Sequence, residues 1–120
     1  MKTFDVNNIQ LKIQSPGMTV PASLENFLIA HIEKLGKIFP RIKKCETLLR
    51  EQKDSRNKTC KIEAKLFIPR TMLFAADEAD NFEFAAKNMF DDLRDQLLRY
   101  KEKVQKKNND GIARTAAESL

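Results

Sequence analysis

Arg94, Arg99, Lys101, Lys103, Lys106 and Lys107 crowd six cations into residues 94–107 of a 120-residue chain, with Asp95 and Glu102 as the acidic groups between them. Guanidinium and ammonium groups at that density have one obvious chemistry, the holding of anions, phosphates above all. The segment is net +4, most of the chain's total of +5. On a helix turning 100° per residue, Arg99, Lys103 and Lys106 fall within about 60° of one another, opposite the apolar stripe. Arg94 and Lys101 flank that stripe on one side. The i,i+4 pairs Arg99–Lys103 and Lys103–Lys107 repel slightly, whereas an ordinary solvated helix intersperses its signs. A polyanion that offsets the repulsion explains the pattern better than solvation alone. Lys34, Lys37 and Arg41 form a second set, spaced to sit along one edge of an earlier helix.

The other chemistry-bearing residues lead nowhere comparable. Cys45 and Cys60 are too few for a disulfide framework. A hairpin centred near Ser55 sets Cys60 opposite Arg50, which keeps the two thiols apart, and alternation puts Cys60 on an apolar face as a structural thiol. His31, the single imidazole, lies on or beside an apolar stripe with no clustered ligands at metal-binding spacing. Asp77, Glu78, Asp80 and Glu83 resemble no calcium loop, and two of them suit a helix start. Gly17, Gly36 and Gly111 make no phosphate loop. The expectation is therefore a binding protein rather than an enzyme, with no metal and no cofactor.

These groups need a scaffold, and hydropathy supplies one. "FDVNNIQLKIQSPG" alternates like a single strand. "VPASLENFLIAHIEKLGKIFP" repeats Leu24, Leu28, Ile32 and Leu35 at helical steps, with Pro21 opening it and Pro40 closing it. "CETLLREQ", "TCKIEAKLFIP" and "RTMLFAADEA" read as three further strands. A second helix begins near Asn81, a good N-cap, carries Ala86, Phe90, Leu93, Leu97, Tyr100 and Val104 on one stripe, and ends near Lys107 at "NNDG". The predicted fold is α+β, β-α-β-β-β-α: a single four-stranded sheet with two helices packed on one face and the other face wet. Residues 1–107 form the domain and 108–120 a flexible tail. Eight Phe and 42% apolar residues suit a folded core. No apolar run is long enough to span a membrane, and "MKTFDVNNIQ" lacks the apolar core of a secretory leader. A reducing cytoplasm is the expected setting.

The helix stripes are needed for the core, so a membrane surface is a poor partner. No aromatic platform on the strands is evident, which favours backbone and shape recognition of structured RNA over single-strand readout. A general structured-RNA module and a basic protein–protein interaction domain are the alternatives.

"EKLGKIFPRI" at 33–42, "KIEAKLFIP" at 61–69 and "DLRDQLLRYKEK" at 92–103, in this order of elements, resemble the ribosome hibernation-promoting factors, also called ribosomal subunit-interface proteins. Lys34, Leu35, Lys37, Phe39, Arg41 and Ile42 match the family's pattern after the first helix. Leu93, Gln96, Leu97, Arg99 and Lys101 match the pattern near the end of the second, and "GIARTAAES" resembles the tail of some short members. The chain departs from the pattern at Arg70-Thr71, where members often have Gly-Gly. It departs again at Asn81-Phe82-Glu83, and at Asp95, where the family's arginine falls one position earlier as Arg94. The resemblance covers residues 2–119 and is to a short form without the dimerisation domain of long members. It implies a monomer off the ribosome that binds the small ribosomal subunit and ribosomal RNA at the decoding region, excludes messenger and transfer RNA, and silences translation in stress or stationary phase. The RNA-binding residues expected are Lys34, Lys37, Arg41, Arg94, Arg99, Lys101, Lys103, Lys106 and Lys107.

Overall fold

Asn7 and Asn8 both have positive φ, 52° and 71°, and they divide the opening segment into two strands rather than one. Paired left-handed residues make the two-residue turn whose twist matches an antiparallel hairpin, and asparagine tolerates that region well. Asp5 Oδ1 accepts a hydrogen bond from the Asn8 amide at 3.0 Å and holds the turn. The computed structural model describes the backbone of residues 1–116 and the side chains of residues 1–104. Its elements are β1 (Lys2–Val6), β2 (Ile9–Gln14), α1 (Ala22–Ile38), β3 (Lys44–Lys53), β4 (Lys58–Ile68), β5 (Thr71–Ala79) and α2 (Phe82–Ala116). The sheet has five strands in the order β1-β2-β3-β4-β5, not four, and the chain order is β-β-α-β-β-β-α.

The sheet is mixed. β2 and β3 run parallel, joined by the α1 crossover, and every other neighbouring pair is antiparallel. Across it, Leu11, Cys45, Leu66 and Leu73 lie opposite one another on the face that carries the helices. Ile9, Ile13, Leu49, Ile62, Ala64 and Ile68 extend that apolar face, and Leu24, Leu28, Ile32, Leu35, Phe90, Leu93 and Leu97 cover it from above. Thr47 is the buried polar residue of this sheet face among the described residues; its hydroxyl donates to the Lys12 carbonyl at 2.9 Å, which satisfies it between two strands. Gly36 lets α1 come close to the sheet, because a Cβ there would stand 2.9 Å from Ile9 Cδ1.

The β3–β4 register differs by one residue from the sequence reading. Cys60 faces Glu51, not Arg50, and Cys45 faces Leu66. The hairpin closes through Asp54–Asn57, with the Asp54 amide bonded to the Asn57 carbonyl at 2.7 Å. The cysteines stay far apart on either reading.

α2 begins as its sequence dictates. Asn81 Oδ1 accepts from the Phe84 amide at 2.8 Å, an N-cap that stabilises by about 1 kcal/mol. The helix passes its expected stop near Lys107 and continues through Asn108–Gly111 to Ala116. Asn, Asp and Gly each cost a helix less than about 1 kcal/mol, and propagation is cheap once a helix is nucleated. The tail expected at 108–120 has its side chains, and residues 117–120 their backbone, outside the described residues.

Candidate nucleic-acid interface

Strand direction decides where the cations meet. β2 and β3 begin, β4 ends and β5 begins at one end of the sheet. α1 runs back from the far end of β2, so its C-terminus arrives at that same end, and Phe39, Arg41 and Lys43 lead straight into β3. α2 runs back along β5 likewise. Tyr100 Oη donates to the Pro69 carbonyl at 3.2 Å, and the Tyr100 ring meets Phe39 edge-on at 5.9 Å. Lys37 and Arg41 of the first set are thereby brought to the level of Arg99, Lys101 and Lys103 of the second, and Lys34, one turn past His31, to the level of Arg94. Arg94 lies one to two turns back along α2.

On α2 the cations divide between two flanks. His31 of α1 stacks on Phe90 with ring centroids 4.9 Å apart and planes at 5°, so α1 lies on the Phe90 side. Helical geometry puts Lys101 within about 20° and Arg94 within about 40° of Phe90, along the seam between the helices, where Lys34 also sits. Gln96 reaches the other way, donating to the Phe74 carbonyl of β5 at 2.7 Å. Lys103 falls within about 20° of Gln96 and Arg99 about 60° from it, on the β5 flank. Arg99 Nε donates to the Asp95 carbonyl at 3.3 Å, which lays its stem along the helix. The single surface expected from the sequence is thus a basic end with two arms astride α2. Lys106 and Lys107 are in the helix, but their side chains lie outside the described residues.

Position, not pairing alone, sets these cations apart, since among the described residues Lys43, Arg50, Lys53, Arg56, Lys61, Lys65 and Arg70 also lack an ion pair. Lys2, Lys12, Lys44, Lys58 and Lys87 each bridge to a carboxylate. Among the described residues, Lys34, Lys37, Arg41, Arg94, Arg99, Lys101 and Lys103 form no salt bridge. All are exposed except Lys101, which is half-buried. A second group of cations, Arg50, Lys53, Arg56, Lys58 and Lys61, lies on the β3–β4 hairpin toward the opposite end, interspersed with Glu51, Asp54 and Glu63.

The groups that could have supported catalysis are placed for structure. Cys45 is fully buried, and burial, with a smaller contribution from Glu46, pushes its thiol up to about 12. Burial also raises Cys60, whose S–H donates to the Asp80 carbonyl at 3.8 Å. Neither offers a thiolate at neutral pH. Among the described residues, no three His, Cys, Asp or Glu side chains converge as a metal site. A shallow concavity of about 320 Å³ on the open sheet face, lined by Arg50, Lys61, Glu63, Asp77 and Glu78 among others, contains no His, Cys, Ser or Thr. No described helix is long and apolar enough to cross a membrane.

His31 is a seam residue. It is sandwiched between Phe27, at 4.6 Å, and Phe90. Burial lowers its pKa, helped by Lys34 and to a lesser degree Lys87, against an opposing pull from Asp91. The folded chain therefore binds this proton less readily than the unfolded chain does. Stability from the neutral imidazole is fully present above the ordinary histidine pKa of about 6.5 and is lost as pH falls below it. The melting temperature is expected to drop between about pH 7.5 and about pH 5.5, and His31→Gln to flatten that slope. Equal slopes for both proteins in calorimetry would exclude the imidazole as its source.

One feature of the surface escaped the sequence reading. Phe67, Met72 and Phe74 point to the open face of the sheet, in the polar phase of β4 and β5; Met72 is 42% and Phe74 45% exposed. Phe67 occupies the same phase as Lys61, Glu63 and Lys65, and that phase was its signal.

The fold is shared with solved structures. A ribosomal subunit interface protein from Coxiella burnetii superposes with a TM-score of 0.67 at 14% identity, covering 77% of this chain and 97% of its own. The N-terminal domain of Protein Y from Thermus thermophilus superposes with a TM-score of 0.59 at 12% identity, covering 74% of this chain and 94% of its own. No curated protein sequence matches the chain. The family model described as "Sigma 54 modulation protein / S30EA ribosomal protein" matches residues 11–105. That span runs from within β2 into the basic stretch of α2, ending before Lys106, and the chain belongs to this family, that of the ribosome hibernation-promoting factors.

Proposed function

We propose that this protein binds the small ribosomal subunit at the decoding region, lays its basic end on ribosomal RNA phosphates, and excludes messenger and transfer RNA from the channel they share. Translation is silenced by occupation, not by a catalysed reaction, and the setting is the cytoplasm of cells in stress or stationary phase. Family membership supports the ribosomal partner. The observation that carries the RNA contact is the gathering of Lys34, Lys37, Arg41, Arg94, Arg99, Lys101 and Lys103 at one end of the domain without carboxylate partners among the described residues. Unpaired cations meet phosphates without first breaking an ion pair, and arginine adds bidentate geometry.

Co-sedimentation with purified small subunits, with and without messenger and transfer RNA, tests the reading. The protein is expected to pellet with subunits and to be displaced by the two RNAs together. Neutralising ~5–7 phosphates gives a slope of log affinity against log salt of about −4 to −6, at roughly −0.7 to −0.9 per phosphate. Equal affinity for free RNA duplex would replace this reading with a general structured-RNA module. Capture that survives ribonuclease would replace it with a protein partner.

A further inference from the structure

The open face of the sheet is polar at most positions, as a wet face should be: Gln10, Lys12, Gln14, Glu46, Arg50, Lys61, Glu63, Lys65 and Glu78 all occupy it. Its aromatic exceptions gather at the basic end. Lys44, Phe67 and Met72 lie side by side across β3, β4 and β5, and in the next row Lys65 lies beside Phe74. Phe67 and Phe74 are diagonal cross-strand neighbours, a relation that puts side chains about 7–8 Å apart, within reach of successive bases of an extended strand. Lys44 already stands 4.7 Å from the centre of the Phe67 ring. Two ionic contacts fix Glu46, from Lys12 at 3.7 Å and Lys44 at 3.3 Å. Lys65 has no ion pair among the described residues. At the β4–β5 turn, Arg70 holds φ at +73°, a left-handed conformation that is unfavourable for a residue with a side chain and that glycine would adopt freely. Arg70 itself is exposed, in the turn that follows Phe67 and Ile68 and precedes Met72.

We propose that this patch is a stacking platform for single-stranded RNA, with bases on Phe67 and Phe74 and phosphates held by Lys65 and Arg70, the two cations of the patch that have no ion pair among the described residues. It lies on the opposite side of the sheet from the helices and does not depend on the function proposed above. An exposed ring at Phe74 and a half-buried one at Phe67, interleaved with cations, suit bases and phosphates in alternation. Peptide addition to the β5 edge fits less well, because Gln96 already occupies the Phe74 carbonyl at 2.7 Å and α2 overhangs that edge.

The test is fluorescence anisotropy with a short fluorescein-labelled oligouridine and the full chain. The wild-type chain is expected to bind it. Phe74→Ala is expected to weaken binding roughly five- to a hundred-fold, the usual effect of removing one stacking ring, with an unchanged melting temperature because the ring is exposed. Phe74→Trp should retain affinity, and its indole emission should be quenched by the bound bases. A wild-type chain that does not bind oligouridine, or a Phe74→Ala variant that binds as wild type does, overturns the proposal. So does a Phe74→Ala variant that loses small-subunit co-sedimentation with oligouridine affinity intact, which would make the patch a docking site for protein.

Discussion

Leu97→Asp is expected to leave the chain unfolded, whereas Leu98→Asp, one residue on, is expected to be tolerated. Leu97 is fully buried beneath α2 against the sheet, and Leu98 is 40% exposed on the solvent side. Truncating a buried leucine costs about 2–5 kcal/mol. An aspartate at the same point adds a charge with no described partner within the core, costing several kcal/mol more whether it stays ionised or takes up a proton. A domain of this size has about 5–15 kcal/mol in total, so the two costs together approach or exceed it. The exposed site changes stability by about 0.5 kcal/mol or less. Circular dichroism on heating reads both variants. A cooperative transition in Leu97→Asp near the wild-type temperature would mean that α2 does not rest on the sheet as described.

The other large effect is on binding. Lys37→Glu with Lys103→Glu is expected to lower affinity for small subunits by more than about a hundred-fold, since two attractive phosphate contacts become repulsive. Lys53→Glu with Arg56→Glu makes the same change in net charge at the opposite end, on the β3–β4 hairpin, and is expected to have a small effect. All four side chains are exposed and none is in a salt bridge among the described residues, so both double variants should melt like wild type. Sucrose-gradient co-sedimentation separates position from total charge. Equal losses in the two variants would make the attraction non-specific. A loss confined to the hairpin variant would move the binding face to the other end.

Periodicity made α1, β3, β4, β5 and the start of α2 legible, because each has one apolar face at a clear repeat and Asn81 marks its helix chemically. The β1–β2 turn was harder to read. Asn7-Asn8 lacks the glycine that usually announces a two-residue hairpin, and Ile9, Leu11 and Ile13 alternate so cleanly that the strand seemed to begin before them. The end of α2 was misjudged from local propensity, which sums too weakly at Asn108–Gly111 to stop a helix already formed. Among the candidate site residues, their kind was plain from the sequence but their grouping was not. Lys34 and Lys101 lie along one seam because α1 and α2 both run back to the same end of the sheet, and that is a property of topology. Lys103 and Arg94 part to opposite flanks because α1 sits beside Phe90, which the wheel of α2 alone does not reveal.

The parallel pairing of β2 with β3 has a consequence for how the molecule comes apart. Every other strand pair is a hairpin of neighbours, whereas this one joins Gln10–Gln14 to Lys44–Leu48 across the whole of α1. The entropy of closing that span falls on a single seam within the sheet. β3, β4, β5 and α2 can assemble from near neighbours in the chain, and the β1–β2 hairpin with α1 then joins them as a second unit. The Asn7-Asn8 half of the molecule is therefore the half to detach first when the native state loosens, and amide protons in β1 and β2 would trade with solvent ahead of those in β4.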